Sequence, residues 1–144
     1  MPVCYLDTSA VIKRYLSEPN SAEFDAFVLQ AAFDFIMSPL VITELTSALA
    51  RRVRNKEIKA DFAASTKQLF QDDLLTGDWA LMEFQPATFT DASSLISTVT
   101  APLSTLDALH LACALNSQAD ALATADKQLA TAAKKAGLQV FTFF

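Results

Sequence analysis

Short apolar runs alternate with longer amphipathic segments along the whole of this chain. Five runs are short and apolar enough to predict buried strands, at residues 3–6, 34–37, 79–84, 119–124 and 138–143. The segments between them have apolar residues at helical spacing and predict helices at residues 8–16, 20–32, 39–53, 56–75, 87–98, 104–116 and 126–136. This alternation is typical of an α/β fold with a mainly parallel sheet covered on both faces. It leaves the strand order open.

Composition narrows the class of protein further. With 144 residues, of which 52% are hydrophobic, we expect a single domain over residues 1–144. We expect the two cysteines, Cys4 and Cys113, to be buried thiols in a reduced cytoplasmic protein without a signal or membrane segment. The net charge of −5 argues against a basic nucleic-acid-binding surface. It does not exclude a nuclease, because a metal ion can attract phosphate locally.

The segment "LDALHLACAL", residues 106–115, raises a chemical question. Read as a helix, it is apolar on almost every side, yet it contains Asp107 and the only histidine, His110. An isolated carboxylate costs several kcal/mol, by order of magnitude, to bury. The rest of the sequence should therefore supply a partner for Asp107.

Three further acids fall where they can supply that partner. Asp7 follows the first predicted strand, Asp126 follows the fourth, and Glu44 lies early in the helix after the second. Parallel strands end at one edge of a sheet, so these acids and Asp107 are predicted to converge there. Clustered carboxylates repel one another, and oxygen-only ligands favour Mg²⁺ or Mn²⁺. The predicted chemistry is phosphodiester hydrolysis by a metal-activated water.

Each of these residues also has a simpler interpretation. Asp7 and Asp126 could each cap the helix that follows, and Glu44 could be a solvated helix residue. Asp107 could be exposed in the first turn of its helix. For His110, a hydrogen-bonded buried side chain is favoured over a general base.

Four stretches of the chain together resemble one protein family. In order, they are "YLDTSAVIKRYLSEPNS", "SPLVITELTSALARR", "LSTLDALHLACAL" and "LATADKQLATAAKKAGLQV". They resemble the VapC-type PIN-domain ribonucleases, the toxins of toxin–antitoxin pairs, over nearly the whole chain. The resemblance implies a three-layer α/β/α sandwich and an acidic Mg²⁺ or Mn²⁺ site that cuts RNA.

The same resemblance implies roles for individual residues. Asp7, Glu44, Asp107 and Asp126 match the four family acids, as catalytic residues and metal ligands. The hydroxyl positions that support these acids or a metal-bound water are matched by Thr8, Ser9 and Thr124. The family also implies a homodimer and a cognate antitoxin whose C-terminal segment reaches the acidic site.

A basic segment at residues 51–59 holds five basic residues and one acid. It could be a solvated helix end, where cations are favoured. Alternatively, it could contact RNA phosphates beside the metal site through Arg51 and Arg52, helped by Lys13 and Arg14.

Two non-catalytic functions compete with the ribonuclease. A receiver-like signalling domain would also have an acidic Mg²⁺ pocket in an α/β fold. It needs an aspartate after a central strand and a lysine after a late one, and both are missing where expected. An RNA- or partner-binding regulator that never cuts remains the other alternative. The sequence leaves open which RNA is the target.

Overall fold

The computed structural model describes residues 1–144 as seven helices and five strands. The strands are β1 (Val3–Leu6), β2 (Asp34–Met37), β3 (Ala80–Leu81), β4 (Ala121–Thr124) and β5 (Gln139–Thr142). The helices are α1 (Thr8–Tyr15), α2 (Ser21–Gln30), α3 (Leu40–Arg54), α4 (Ala60–Thr76), α5 (Thr88–Thr98), α6 (Thr105–Asn116) and α7 (Lys127–Lys135). None of the seven helices combines the length and the hydropathy that a membrane crossing requires.

All five strands are parallel and form one sheet in the order β3-β2-β1-β4-β5. β1 is central, and its Tyr5 pairs with Ile36 of β2 on one side and Leu122 of β4 on the other. The chain first builds outward from β1 through β2 to β3, then returns to place β4 on the other side of β1. The junction of β1 and β4 is therefore a topological switch point, where α/β sheets open a crevice for ligands.

Side chains alternate between two cores on the two faces of the sheet. Cys4 and Leu6 of β1 point into a core with α1, α2, α3 and α4. Tyr5 of β1 points the opposite way, into a core with α6 and α7. The result is a three-layer α/β/α sandwich, as predicted. Cys4 and Cys113 are both free and buried.

The largest differences from the predicted boundaries lie at the third strand and at the start of the fourth helix. The third strand reduces to Ala80–Leu81, an exposed pair at the sheet edge, where only β2 can supply backbone partners. The fourth helix begins at Ala60 because the chain first turns at Lys56, whose φ of 60° is left-handed and cannot continue a helix.

Candidate active site

The carboxyl ends of β1 and β4 bring the first predicted residues together. Asp7 follows β1 directly, and Thr124 is the last residue of β4. Thr124 Oγ1 donates a hydrogen bond to Asp7 Oδ2 at 2.9 Å, across 117 positions of sequence. Thr124 Oγ1 also accepts from the backbone N–H of Asp126 at 2.9 Å. One hydroxyl therefore links two of the predicted acids at the switch point.

Asp7 is only 3% exposed, and its carboxylate is held by several donors. It caps α1 by accepting from the backbone N–H of Ala10 at 3.0 Å, so the capping interpretation is confirmed. Ser9 Oγ lies 2.9 and 2.8 Å from its two oxygens. Burial raises the pKa of Asp7, and the charge of His110 and these hydrogen bonds offset that rise only in part. An acid in this state gains from a nearby cation.

Glu44 is held at one carboxylate oxygen rather than solvated. Thr8 Oγ1 donates to Glu44 Oε1 at 2.7 Å, and His110 Nε2 lies 2.6 Å from the same oxygen. Burial alone would raise the pKa of Glu44, but the hydrogen bond and charge of His110 and the Thr8 bond bring it below 4.5. Glu44 is therefore kept ionised, which a metal ligand requires.

His110 is 2% exposed and has a partner at each ring nitrogen. Its Nδ1 lies 2.7 Å from the hydroxyl of Tyr5, and its Nε2 faces Glu44. The structure thus confirms the prediction of a buried, hydrogen-bonded histidine. When the ring is protonated, its charge also lowers the pKa values of Asp7 and Asp107, so it lies within electrostatic reach of three acids.

Asp107 and Asp126 interact with each other through their charges. Burial raises the pKa of Asp107 to about 6, and the carboxylates of Asp126 and Asp7 add to that rise. Asp107 lies in the first turn of α6, where its backbone N–H donates to the capping Ser104 hydroxyl at 3.3 Å. Asp126 caps α7 by accepting from Leu129 N–H at 2.9 Å. The capping interpretation of Asp126 is confirmed as well.

The carboxylates of the site are suitable ligands for a hard divalent cation, but they do not form a complete coordination shell. No three of the Asp, Glu, His and Cys side chains lie close enough together to hold a metal ion as they stand. The three aspartates nevertheless interact, because Asp7 and Asp126 both raise the pKa of Asp107. Carboxylate oxygens are the ligands of Mg²⁺ and Mn²⁺, and a cation among them would relieve their repulsion.

A cleft of about 430 Å³ leads away from Glu44 toward the basic end of α3. Thr8 and Ser9 line it near the acids, and Lys13, Arg51 and Arg52 line it farther along. Arg14, the fourth predicted RNA contact, does not line this cleft. It pairs with Asp25 at 3.1 Å and lines a separate pocket.

Glu18 binds two of the cations of this cleft. It forms an ion pair with Arg52, and its other oxygen lies 3.6 Å from Lys13 Nζ. Lys13 is buried and also donates to the backbone carbonyl of Pro19 at 2.7 Å. Arg51 forms no ion pair and is exposed. The cleft therefore has an internal anion beside its cations.

Sequence reasoning missed Tyr5 and Glu18. Tyr5 could have been identified from the sequence, because it lies in a predicted buried strand and a buried phenol needs a hydrogen-bond partner. Glu18 could not, since its partners Lys13 and Arg52 meet it only after α1 and α3 pack together.

Comparison with known proteins gives a family and several structural relatives. The PIN domain family model matches residues 4–135. VapC20 of Mycobacterium tuberculosis, a sarcin-ricin loop cleaving toxin, superposes with a TM-score of 0.71 at 14% identity, covering 94% of this chain and 95% of that one. A toxin–antitoxin complex from Klebsiella pneumoniae has a TM-score of 0.66 at 15% identity, covering 98% of each chain.

VapBC2 of Rickettsia felis, solved bound to a DNA fragment from its promoter, has a TM-score of 0.65 at 14% identity, covering 99% of each chain. At these identities the structural likeness establishes the fold alone. A search of curated protein sequences finds no match. Because the family model spans residues 4–135, most of the sequence, this chain belongs to the PIN-domain family.

Proposed function

We propose that this chain is a Mg²⁺- or Mn²⁺-dependent endoribonuclease that acts as the toxin of a toxin–antitoxin pair. The observation that carries the proposal is the joining of Asp7 and Asp126 through the Thr124 hydroxyl at the switch point of a PIN-domain sheet, with the half-buried Asp107 coupled to both by charge. Such coupling is unfavourable without a cation. It favours a site that binds a divalent ion, and hence a phosphodiester, over a site built for stability.

Four acids are proposed as metal ligands and catalytic residues: Asp7, Glu44, Asp107 and Asp126. When bound, the ion would supply an activated water and charge stabilisation for hydrolysis. Ser9 and Thr124 orient the Asp7 carboxylate, and Thr8 orients Glu44. Thr124 also fixes the backbone that carries Asp126. The chain contributes position and negative charge, and the mechanism needs no nucleophilic side chain.

The RNA is proposed to follow the cleft that joins Glu44, the one proposed ligand lining it, to Lys13, Arg51 and Arg52. Arg51 is exposed and free of any ion pair, so a phosphate can bind it without displacing a partner. Lys13 and Arg52 are paired with Glu18, so a phosphate that approaches them competes with that carboxylate. This local path suits a chain whose overall net charge of −5 would repel RNA.

The proposed partners are a cognate antitoxin and a second copy of the chain. Support comes from the relatives, because the Klebsiella pneumoniae and Rickettsia felis structures are toxin–antitoxin assemblies. Co-expression with a short neighbouring reading frame should yield a stable complex without RNA cleavage. The mass of the purified chain in solution should be that of a dimer, and a monomeric mass would contradict that part of the proposal.

The function is tested by cleavage of cellular RNA. We expect cleavage with Mg²⁺ or Mn²⁺, none with EDTA, and at least about a hundredfold loss in Asp7→Asn and Asp107→Asn, because each loses a ligand charge. The matched control is Glu83→Gln, which neutralises an exposed carboxylate outside the cleft and should cleave normally. Activity persisting in both aspartate variants would defeat the proposal. RNA binding without cleavage under any divalent ion would instead favour the non-catalytic regulator.

A further inference from the structure

His110 connects the interior of the sheet to the acidic site. It lies on α6, between Tyr5 of the central strand β1 and Glu44 of α3. These three elements are far apart in the sequence. Both contacts are short, at 2.7 and 2.6 Å, and both Tyr5 and His110 are almost completely buried. Hydrogen bonds in such surroundings are strong and fix geometry, because water does not compete for them.

The protons of this chain of contacts can be assigned from the chemistry of its ends. A carboxylate oxygen accepts hydrogen bonds, so at 2.6 Å from Glu44 Oε1 the His110 Nε2 is assigned as the donor. Burial raises the pKa of Tyr5 well above 10.0, so the phenol keeps its proton. With the ring proton on Nε2, Nδ1 keeps its lone pair and accepts from the Tyr5 O–H at 2.7 Å. A ring with its proton on Nε2 and the lone pair on Nδ1 fits both neighbours by geometry.

The two carboxylate oxygens of Glu44 are held differently. His110 Nε2 and Thr8 Oγ1 both hold Oε1, whereas Oε2 receives no hydrogen bond from the protein. Glu44 and Thr8 line the cleft of the site. Fixing one oxygen with two donors sets the direction of the other, as outer hydrogen bonds do for metal-binding side chains in general.

We propose that Tyr5 and His110 are positioning residues that act through Glu44, aiming its free oxygen at the metal site. This inference rests on the proposed metal-dependent function. Tyr5 fixes the His110 ring with the donor on Nε2, and His110 in turn fixes the carboxylate. Neither residue touches the substrate or the ion.

Tyr5→Phe is the test variant, since it removes the hydroxyl and keeps the ring. Tyr15→Phe is a matched control, because Tyr15 is also buried and its hydroxyl is also held by short bonds: it donates to Asp73 and accepts from Trp79, both at 2.6 Å. Tyr15 packs in the other core, away from His110. Any change common to both variants measures the removal of a buried hydroxyl alone.

The first readout is the ¹⁵N spectrum of the imidazole in the metal-free protein. The chain has one histidine, so the signals need no assignment. We expect a protonated Nε2 and an unprotonated Nδ1 in the wild type and in Tyr15→Phe, with an altered Nδ1 signal in Tyr5→Phe. A proton on Nδ1 and none on Nε2 in the wild type would overturn the proposal, because that ring cannot donate to Glu44.

The second readout is Mn²⁺ affinity by calorimetry. We expect His110→Leu to weaken Mn²⁺ binding about 10–100-fold and Tyr5→Phe about 3–10-fold, while Tyr15→Phe leaves it unchanged. His110→Gln keeps an amide donor and should recover most of the affinity. Equal Mn²⁺ affinity in the wild type and Tyr5→Phe would refute the positioning role alone. Absence of Mn²⁺ uptake by the wild type would refute the metal-dependent function and this role together.

Discussion

At Asp107, burial and the carboxylates of Asp126 and Asp7 raise the pKa to about 6. The folded protein therefore binds a proton there that the unfolded chain, with a carboxyl pKa near 3.8, has already released. The free energy of unfolding is expected to fall as pH rises from about 4 to about 6 and to level off above that. This holds for the metal-free protein.

Asp107→Asn should remove the part of this dependence that comes from Asp107. We expect the variant to match the wild type near pH 4 and to exceed its free energy of unfolding by about 1–2 kcal/mol at pH 7.5, a value reduced for the partial exposure of Asp107. Urea denaturation at the two pH values measures the difference, and Glu83→Gln is the exposed control. A constant difference between pH 4 and pH 7.5 would mean that the site carries no such repulsion.

Some residues of the site are easier to predict from the sequence than others. The acids were predictable because strand ends and a carboxylate in an apolar helix are visible in sequence. The His110 hydrogen bonds were expected, but their partners were not, because Tyr5 and Glu44 lie 105 and 66 positions away. The roles of the four acids as ligands and catalysts remain predictions.

Among the elements, α7 begins at a residue with two proposed tasks. Asp126 caps the helix, and it is also a proposed metal ligand. An asparagine can cap a helix but brings no charge to a cation. Asp126→Asn should keep the free energy of unfolding within about 0.5 kcal/mol of the wild type, whereas Asp126→Ala should lower it by about 1 kcal/mol.

Both Asp126 variants should bind Mn²⁺ more weakly than the wild type. Thermal denaturation without metal and calorimetry with Mn²⁺ separate the two tasks. If Asp126→Asn bound Mn²⁺ as tightly as the wild type, Asp126 would be a cap and nothing more.

The elements themselves were largely predictable from periodicity, and their order in the sheet was not. The largest discrepancies lie at β3 and the start of α4, where the outcome depends on neighbouring strands or on one backbone angle. A sheet edge decides how much of residues 79–84 pairs, and the left-handed Lys56 decides where α4 begins. A hydrophobic pattern predicts neither the extent of pairing at a sheet edge nor a single backbone angle. The single domain over residues 1–144 remains a prediction.

For the molecule as a whole, RNA binding is expected to depend on the local cleft rather than on overall charge. Removing Arg51 and Arg52 together by alanine substitution should weaken RNA binding and flatten its salt dependence, by about one unit of slope for each phosphate that is no longer neutralised. Filter binding between about 50 and 200 mM salt measures the slope. Arg14→Ala removes a charge outside the cleft and is the control. An unchanged slope in the double variant would exclude the cleft as the RNA path.

The carboxylate of Glu18 occupies the place that a phosphate would take beside Lys13 and Arg52. In the free protein Lys13 and Arg52 already have an anion of the chain's own beside them, so few dissolved anions gather there. A phosphate that reaches these two cations frees the Glu18 carboxylate, whose charge then keeps a dissolved cation nearby, so fewer of the cations that leave the RNA are gained by the solution. The salt dependence of RNA binding should therefore reflect Arg51 and only weakly Lys13 and Arg52. RNA should bind this cleft less tightly at low ionic strength, and lose less affinity as salt rises, than three cations would suggest.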